Sequence, residues 1–121
     1  MIRNYEITDI LLICSIFWMK FGIIGFGRMG QLYKEILNSL NIKLDFICDV
    51  QKQDGISNFY TDYCEALNKT DVDGIIVSTY GPSHNEIIEL AINNNVKYIA
   101  CEKPFTTSVK DADNILKLLK K

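Results

Sequence analysis

Three short clusters hold the residues able to do chemistry in this chain of 121 residues. The first is Gly25-Phe26-Gly27-Arg28-Met29-Gly30, which follows an apolar run and opens a segment of helical periodicity. In a G-x-G-x-x-G so placed, the first glycine permits a tight turn and the second lets the backbone approach a pyrophosphate. The third lets the helix pack closely on the strand. The helix start then offers unpaired N–H groups and its positive dipole end to phosphate. Arg28 stands inside the turn, either beside the phosphates or adenine or simply in solvent. Asp49 comes nineteen residues after Gly30, where a carboxylate accepts hydrogen bonds from ribose hydroxyls and repels a 2′-phosphate. That favours NAD over NADP; the competing reading is an aspartate that caps a turn. As a binding residue alone, Asp49 changed to alanine should weaken NADH binding and leave the fold intact.

The second cluster is Thr79-Tyr80-Gly81-Pro82-Ser83-His84 and the third is Cys101-Glu102-Lys103-Pro104-Phe105, each directly after an apolar run. Thr79 and His84 are expected to face a bound cofactor, although a lone histidine there is also an ordinary helix-start residue. A lysine at a strand end near a nicotinamide can hydrogen-bond a substrate hydroxyl and help move its proton. An isolated lysine is otherwise a solvated charge.

The elements that must position these clusters can be read from periodicity. Apolar runs at Phe21–Phe26, Lys43–Val50, Asp73–Thr79 and Lys97–Cys101 predict buried strands, with a short edge strand near Asn58–Tyr60. Between them, Met29, Leu32, Tyr33, Ile36, Leu37 and Leu40 predict one helix face, and Ile87, Ile88, Ala91 and Ile92 another. A brief helix capped by Thr61 runs through Leu67. A last helix capped by Thr107 or Ser108 carries Ala112, Ile115, Leu116 and Leu119. Asn93 to Asn95 end the third helix, since asparagine tolerates the left-handed conformation. Strands alternating with helices argue for an α/β fold: a doubly wound parallel, Rossmann-like sheet in a single three-layer domain. Ligands in such sheets sit at the carboxyl ends of the strands, where the strand order reverses.

Composition is that of one globular domain: 48% hydrophobic, 23% charged and a net charge of −2. That charge gives no electrostatic footprint for nucleic acid. Cys14, Cys48, Cys64 and Cys101 are far apart without a C-x-x-C pair, which argues against disulfides and zinc and for a reducing cytoplasm. One histidine cannot build a metal site, so no metal is expected. The apolar run from Ile10 to Met19 is ten residues long, against about twenty for a transmembrane helix, and it lacks the flanks of a signal peptide. Residues 1–18 are therefore expected to be an N-terminal extension before a natural start at Met19, with 19–121 as the dinucleotide-binding domain. No membrane association is expected.

The three clusters in this order resemble the Gfo/Idh/MocA oxidoreductases, over Met19 to about Leu119, with Glu102-Lys103-Pro104 the most specific element. The resemblance implies that Lys103 is the active-site lysine, contacting the nicotinamide region and the substrate hydroxyl. It also implies that Glu102, Thr79 and His84 line the cofactor cleft with Gly25 to Gly30 and Asp49, and that the bond before Pro104 is cis as in some relatives. The expected activity is NAD-dependent oxidation or reduction at the CH–OH group of a sugar, nucleotide sugar or polyol. Family members are about three times as long, and their sugar-binding, oligomer-forming second domain is absent from these residues. The chain should thus bind cofactor and turn over little alone, unless a homo-oligomer or a separate substrate-domain chain completes it. A large exposed apolar face on the last strand and helix would favour such a partner. The alternative is a stand-alone nucleotide-sensing or regulatory Rossmann module, which would not call for Glu102-Lys103-Pro104.

Overall fold

The computed structural model describes residues 19–120; the extension expected over residues 1–18 lies outside them. The chain runs β1 (Lys20–Ile24), α1 (Arg28–Ser39), β2 (Lys43–Cys48), β3 (Phe59–Tyr60) and α2 (Tyr63–Lys69). It continues through β4 (Gly74–Val77), a 3₁₀ turn (Gly81–Ser83), α3 (His84–Asn93), β5 (Tyr98–Cys101) and α4 (Val109–Leu119). The strands form one five-stranded sheet in the order β3-β2-β1-β4-β5, and every pairing is parallel. The strand order reverses between β1 and β4, which opens a crevice at their carboxyl ends.

The sheet is buried on both faces because its strand residues alternate sides. Ile24, Phe46, Ile75 and Val77 pack with Ala66 and Leu67 of α2 and with Ile87 and Ala91 of α3. Ile23, Ile47 and Ile76 point the other way and pack with Phe26 and Leu37 of α1. This is the expected three-layer arrangement.

The strands are shorter than the apolar runs, and this places the site. Gly25 adopts a φ of +97, which ends β1 at Ile24, two residues short of Phe26. Asp49, Ser78, Thr79 and Glu102 likewise fall just past their strands. The brief helix is capped by Asp62, whose carboxylate accepts from the Cys64 amide at 2.8 Å, and not by Thr61; Asp62 is the nearer acceptor for the first turn. Ser108 caps α4 by accepting from the Asp111 amide, and Asn95, at a φ of +61, closes α3 as expected.

The predicted helix faces are only partly buried. In α1, Gly30 and Leu37 face the sheet, whereas Met29, Leu32, Ile36 and Leu40 are exposed. In α4, Ile115 is buried while Leu116 and Leu119 are exposed, as are Tyr98 of β5 and the nearby Phe105. Exposed apolar side chains therefore stand on both the last strand and the last helix.

Candidate functional site

The turn from β1 into α1 is held by main-chain bonds. The Gly25 amide donates to Cys48 O at 2.8 Å and the Ser78 amide to Ile24 O at 2.8 Å. The Ser78 hydroxyl donates to Gly25 O at 2.6 Å. A side chain at Gly25 would strike the Ser78–Thr79 backbone, and one at Gly30 would strike Gly25 O. Around Gly27 there is nothing within 4 Å of where a Cβ would stand. Gly27 is also the N-cap of α1, with no side chain to satisfy the first-turn amides and no acidic residue in that turn. An open approach to free N–H groups at a positive dipole end suits a pyrophosphate, so the residues present fit a dinucleotide.

Asp49 sits at the lip of this turn. One carboxylate oxygen accepts from the Phe26 amide at 2.6 Å and the other from the Gln51 amide at 2.9 Å. Each oxygen keeps a lone pair for a ribose hydroxyl. Asp49 is thus built into the turn as well as facing the cleft, so alanine would disturb both.

Beside the turn lies a cleft of about 430 Å³ lined by Gly25, Gly27, Asp49, Val50, Thr61, Tyr63, Ser78, Thr79, Tyr80 and Ser83, among others. Gly25, Gly27, Asp49 and Thr79 were expected here. Ser78 lies inside the third apolar run and was not singled out, and Tyr63 and Val50 carried no signal in the linear sequence. Val50 is 89% exposed, an apolar surface next to the Asp49 carboxylate. Burial, with the Glu86 carboxylate beside it, pushes the Tyr63 phenol up to about 12. Tyr63 therefore meets a ligand as a neutral hydroxyl. Burial, reinforced by Asp49, pushes the Cys48 thiol up to about 12, which makes it an inert wall residue.

Other expected residues lie elsewhere. Phe26 is 5% exposed, its ring in the core on the α1 side, so its contribution is the main chain of the turn. Arg28 and Met29 are exposed on the first turn of α1. His84 is 0% exposed; with no surface to offer, it supports the cleft without lining it. Glu102 is half-buried and accepts a hydrogen bond from the Tyr33 hydroxyl of α1, a link across sixty-nine residues that the sequence did not suggest. Lys103 is exposed, and the Lys103–Pro104 bond is cis. Among the described residues no group of His, Cys, Asp and Glu could hold a metal.

Comparison with known proteins supplies an independent view of the same residues. The sequence pattern of the Gfo/Idh/MocA oxidoreductase family, NAD-binding Rossmann fold, matches residues 19–121. The chain is 26% identical over 112 residues to myo-inositol 2-dehydrogenase of Thermotoga maritima, covering 85% of this chain and 33% of that enzyme. The crystal structure of myo-inositol 2-dehydrogenase from Lactobacillus plantarum superposes with a TM-score of 0.75 at 25% identity, covering 84% of this chain and 33% of that one. Scyllo-inositol dehydrogenase from Lactobacillus casei, solved with NAD(H) and scyllo-inositol, shares the fold with a TM-score of 0.75 at 21% identity, over the same shares. The chain spans about a third of the length of the curated relatives it matches.

Proposed function

The chain belongs to the Gfo/Idh/MocA oxidoreductase family through its NAD-binding Rossmann domain, and from that premise we propose that it is the cofactor-holding part of a dehydrogenase. Its substrate is the CH–OH group of a sugar, nucleotide sugar or polyol, and its cofactor is NAD in preference to NADP. The observation that carries this reading is the uncapped start of α1, open at Gly27 and faced by Asp49.

The first-turn amides of α1 take the pyrophosphate. Asp49 accepts from the adenosine ribose and disfavours a 2′-phosphate by like-charge repulsion. Thr79, Ser83 and Tyr80 border the cleft beyond β4; the Ser83 hydroxyl lies 2.7 Å from Thr79 Oγ1 and 2.6 Å from Tyr80 O, which fixes both hydroxyls before a ligand arrives. Lys103 hydrogen-bonds the substrate hydroxyl and assists its proton transfer. When bound, the nicotinamide exchanges hydride with the substrate carbon. Positioning supplies much of a dehydrogenase's rate, so these residues alone bind cofactor and turn over little.

The exposed apolar residues of β5 and α4 favour completion by a substrate domain or a second polypeptide at that flank over a stand-alone sensing module. Cytoplasmic residence suits the three free cysteines among the described residues, and no described helix is long and apolar enough to cross a membrane.

The test is a fluorescence titration of the full chain with NADH and NADPH. Saturable NADH binding at least about tenfold tighter than NADPH is expected, about 1.4 kcal/mol. Equal affinities would remove the NAD preference, and no binding of either would remove the reading.

A further inference from the structure

His84 is the single histidine of the chain. It begins α3 and is wholly buried, an expensive position for a ring with two polar nitrogens unless both find partners. Both do. Nδ1 lies 2.7 Å from the carbonyl oxygen of Pro104, and Nε2 lies 2.9 Å from that of Thr79. The two carbonyls belong to different connections, one leaving β4 and the other leaving β5. The imidazole therefore bridges the two loops at this end of the sheet. Carbonyl oxygens only accept, so the ring must donate; the neutral ring does so from one nitrogen and the doubly protonated ring from both. A proton on Nδ1 makes the Pro104 contact a hydrogen bond, and a proton on Nε2 does the same for the Thr79 contact.

The bridge acts on the residue beside it. Lys103 is exposed and makes no hydrogen bond or ion pair among the described residues, so its place is set through its two neighbours. On one side the Glu102 amide donates to Val77 O at 2.9 Å and the Glu102 carboxylate accepts from Tyr33. On the other side, among the described residues, the tie is the Pro104 carbonyl on His84, with Gly81 close enough that a side chain there would meet the proline ring at 3.3 Å.

We infer that His84 is a positioning residue for Lys103: its buried imidazole, seated between the Thr79 and Pro104 carbonyls, donates from Nδ1 to Pro104 and so determines where the lysine is presented. Its functional meaning rests on the reading of Lys103 as the lysine that meets nicotinamide and substrate. The tie itself is testable without either.

Ring ¹⁵N–¹H NMR on the full chain needs no assignment beyond the residue type, since there is one histidine. An Nδ1-bound proton protected from exchange with water is expected. A bare Nδ1, or a ring proton exchanging as freely as in an exposed histidine, overturns the inference even if no variant folds. His84→Leu keeps an apolar filler without donors, and His84→Gln restores a donor. In His84→Leu, backbone order parameters at Lys103, Phe105 and Thr106 should fall from about 0.85 towards about 0.6, with partial recovery in His84→Gln. Hydrogen exchange at the β4 amides from Ile75 to Val77 should quicken less than about twofold. Equal effects in both variants, or uniform quickening through β4, would make His84 a mere filler and sink the proposal. With NADH added, the shift of the Lys103 ε-methylene signal should survive in His84→Gln and shrink in His84→Leu at unchanged affinity; an identical shift in both also refutes it. A protected ring proton in a chain that binds no NADH would leave the tie standing and remove the dinucleotide reading instead.

Discussion

At the β1–α1 turn the groups that matter are main-chain atoms, and the side chains are conspicuous by omission. Gly25 and Gly30 leave no room for a Cβ, Gly27 leaves space open, and no side chain caps α1. In the loop after β5 the reverse holds: Glu102 is tied to the Tyr33 hydroxyl, Pro104 to the His84 ring, and Lys103 projects between them. A main-chain site is rigid because the secondary structure that forms it must exist for the domain to fold at all. A site hung on side chains can be retuned residue by residue without touching the fold. In the proposed function, phosphate recognition rests on the first kind of construction and reaction chemistry on the second.

The largest expected effect breaks the main-chain end. Gly30→Val drives a branched side chain into the Gly25 carbonyl. A loss of about 3 kcal/mol or more in urea unfolding is expected, together with loss of NADH binding. An unchanged midpoint would mean the helix can shift off the strand and the turn is not rigid.

Asp49 belongs to both constructions, and two substitutions separate its roles. Asp49→Ala leaves the buried-side Phe26 amide without its acceptor, at a cost of about 1–3 kcal/mol, and weakens NADH binding. Asp49→Asn keeps an acceptor for that amide, so stability should change by less than about 1 kcal/mol while the preference for NADH over NADPH narrows. Should the asparagine variant bind NADH and NADPH in the wild-type ratio, the carboxylate charge plays no part in cofactor choice.

Lys103→Ala tests the other end. The side chain is exposed, so melting should move by no more than about 0.5 kcal/mol equivalent, with NADH affinity nearly unchanged. A large destabilisation would show that the lysine belongs to the fold and blur the contrast.

The smallest effect concerns the thiols. Burial pushes Cys48 up to about 12 and Cys101 up to about 11. Both thiols should thus resist alkylation at neutral pH, as read by peptide mapping. Because the folded state holds these protons more tightly than the unfolded chain, their contribution to stability is complete below about 9 and is lost as pH rises towards about 12. Rapid neutral labelling of Cys48 would contradict its burial.

Much of this was legible before the structure. The alternation of apolar runs and helical periods specified the doubly wound sheet, and Gly25 and Gly30 stand at the tight turn and the close helix contact that their spacing implied. Element ends were less legible: the strands stop short of their apolar runs because Gly25 turns to a positive φ and the polar strand-end residues leave the ladder. The exposed apolar positions of α1 and α4 misled the helix-face reading, since periodicity reports that a face is apolar and not what covers it.

By itself the sequence determined whatever depends on neighbours in the chain: where a Cβ is missing, which face of a helix is apolar, which residue can cap, and the order in which the clusters follow their strands. Only the tertiary structure decided that Asp49 would meet the Phe26 amide, that Tyr33 would reach Glu102, and that His84 would be sealed between two carbonyls. Two of those pairings span twenty-three and sixty-nine residues. They exist because parallel crossovers bring the carboxyl ends of separate strands to one edge, a juxtaposition that no local pattern encodes.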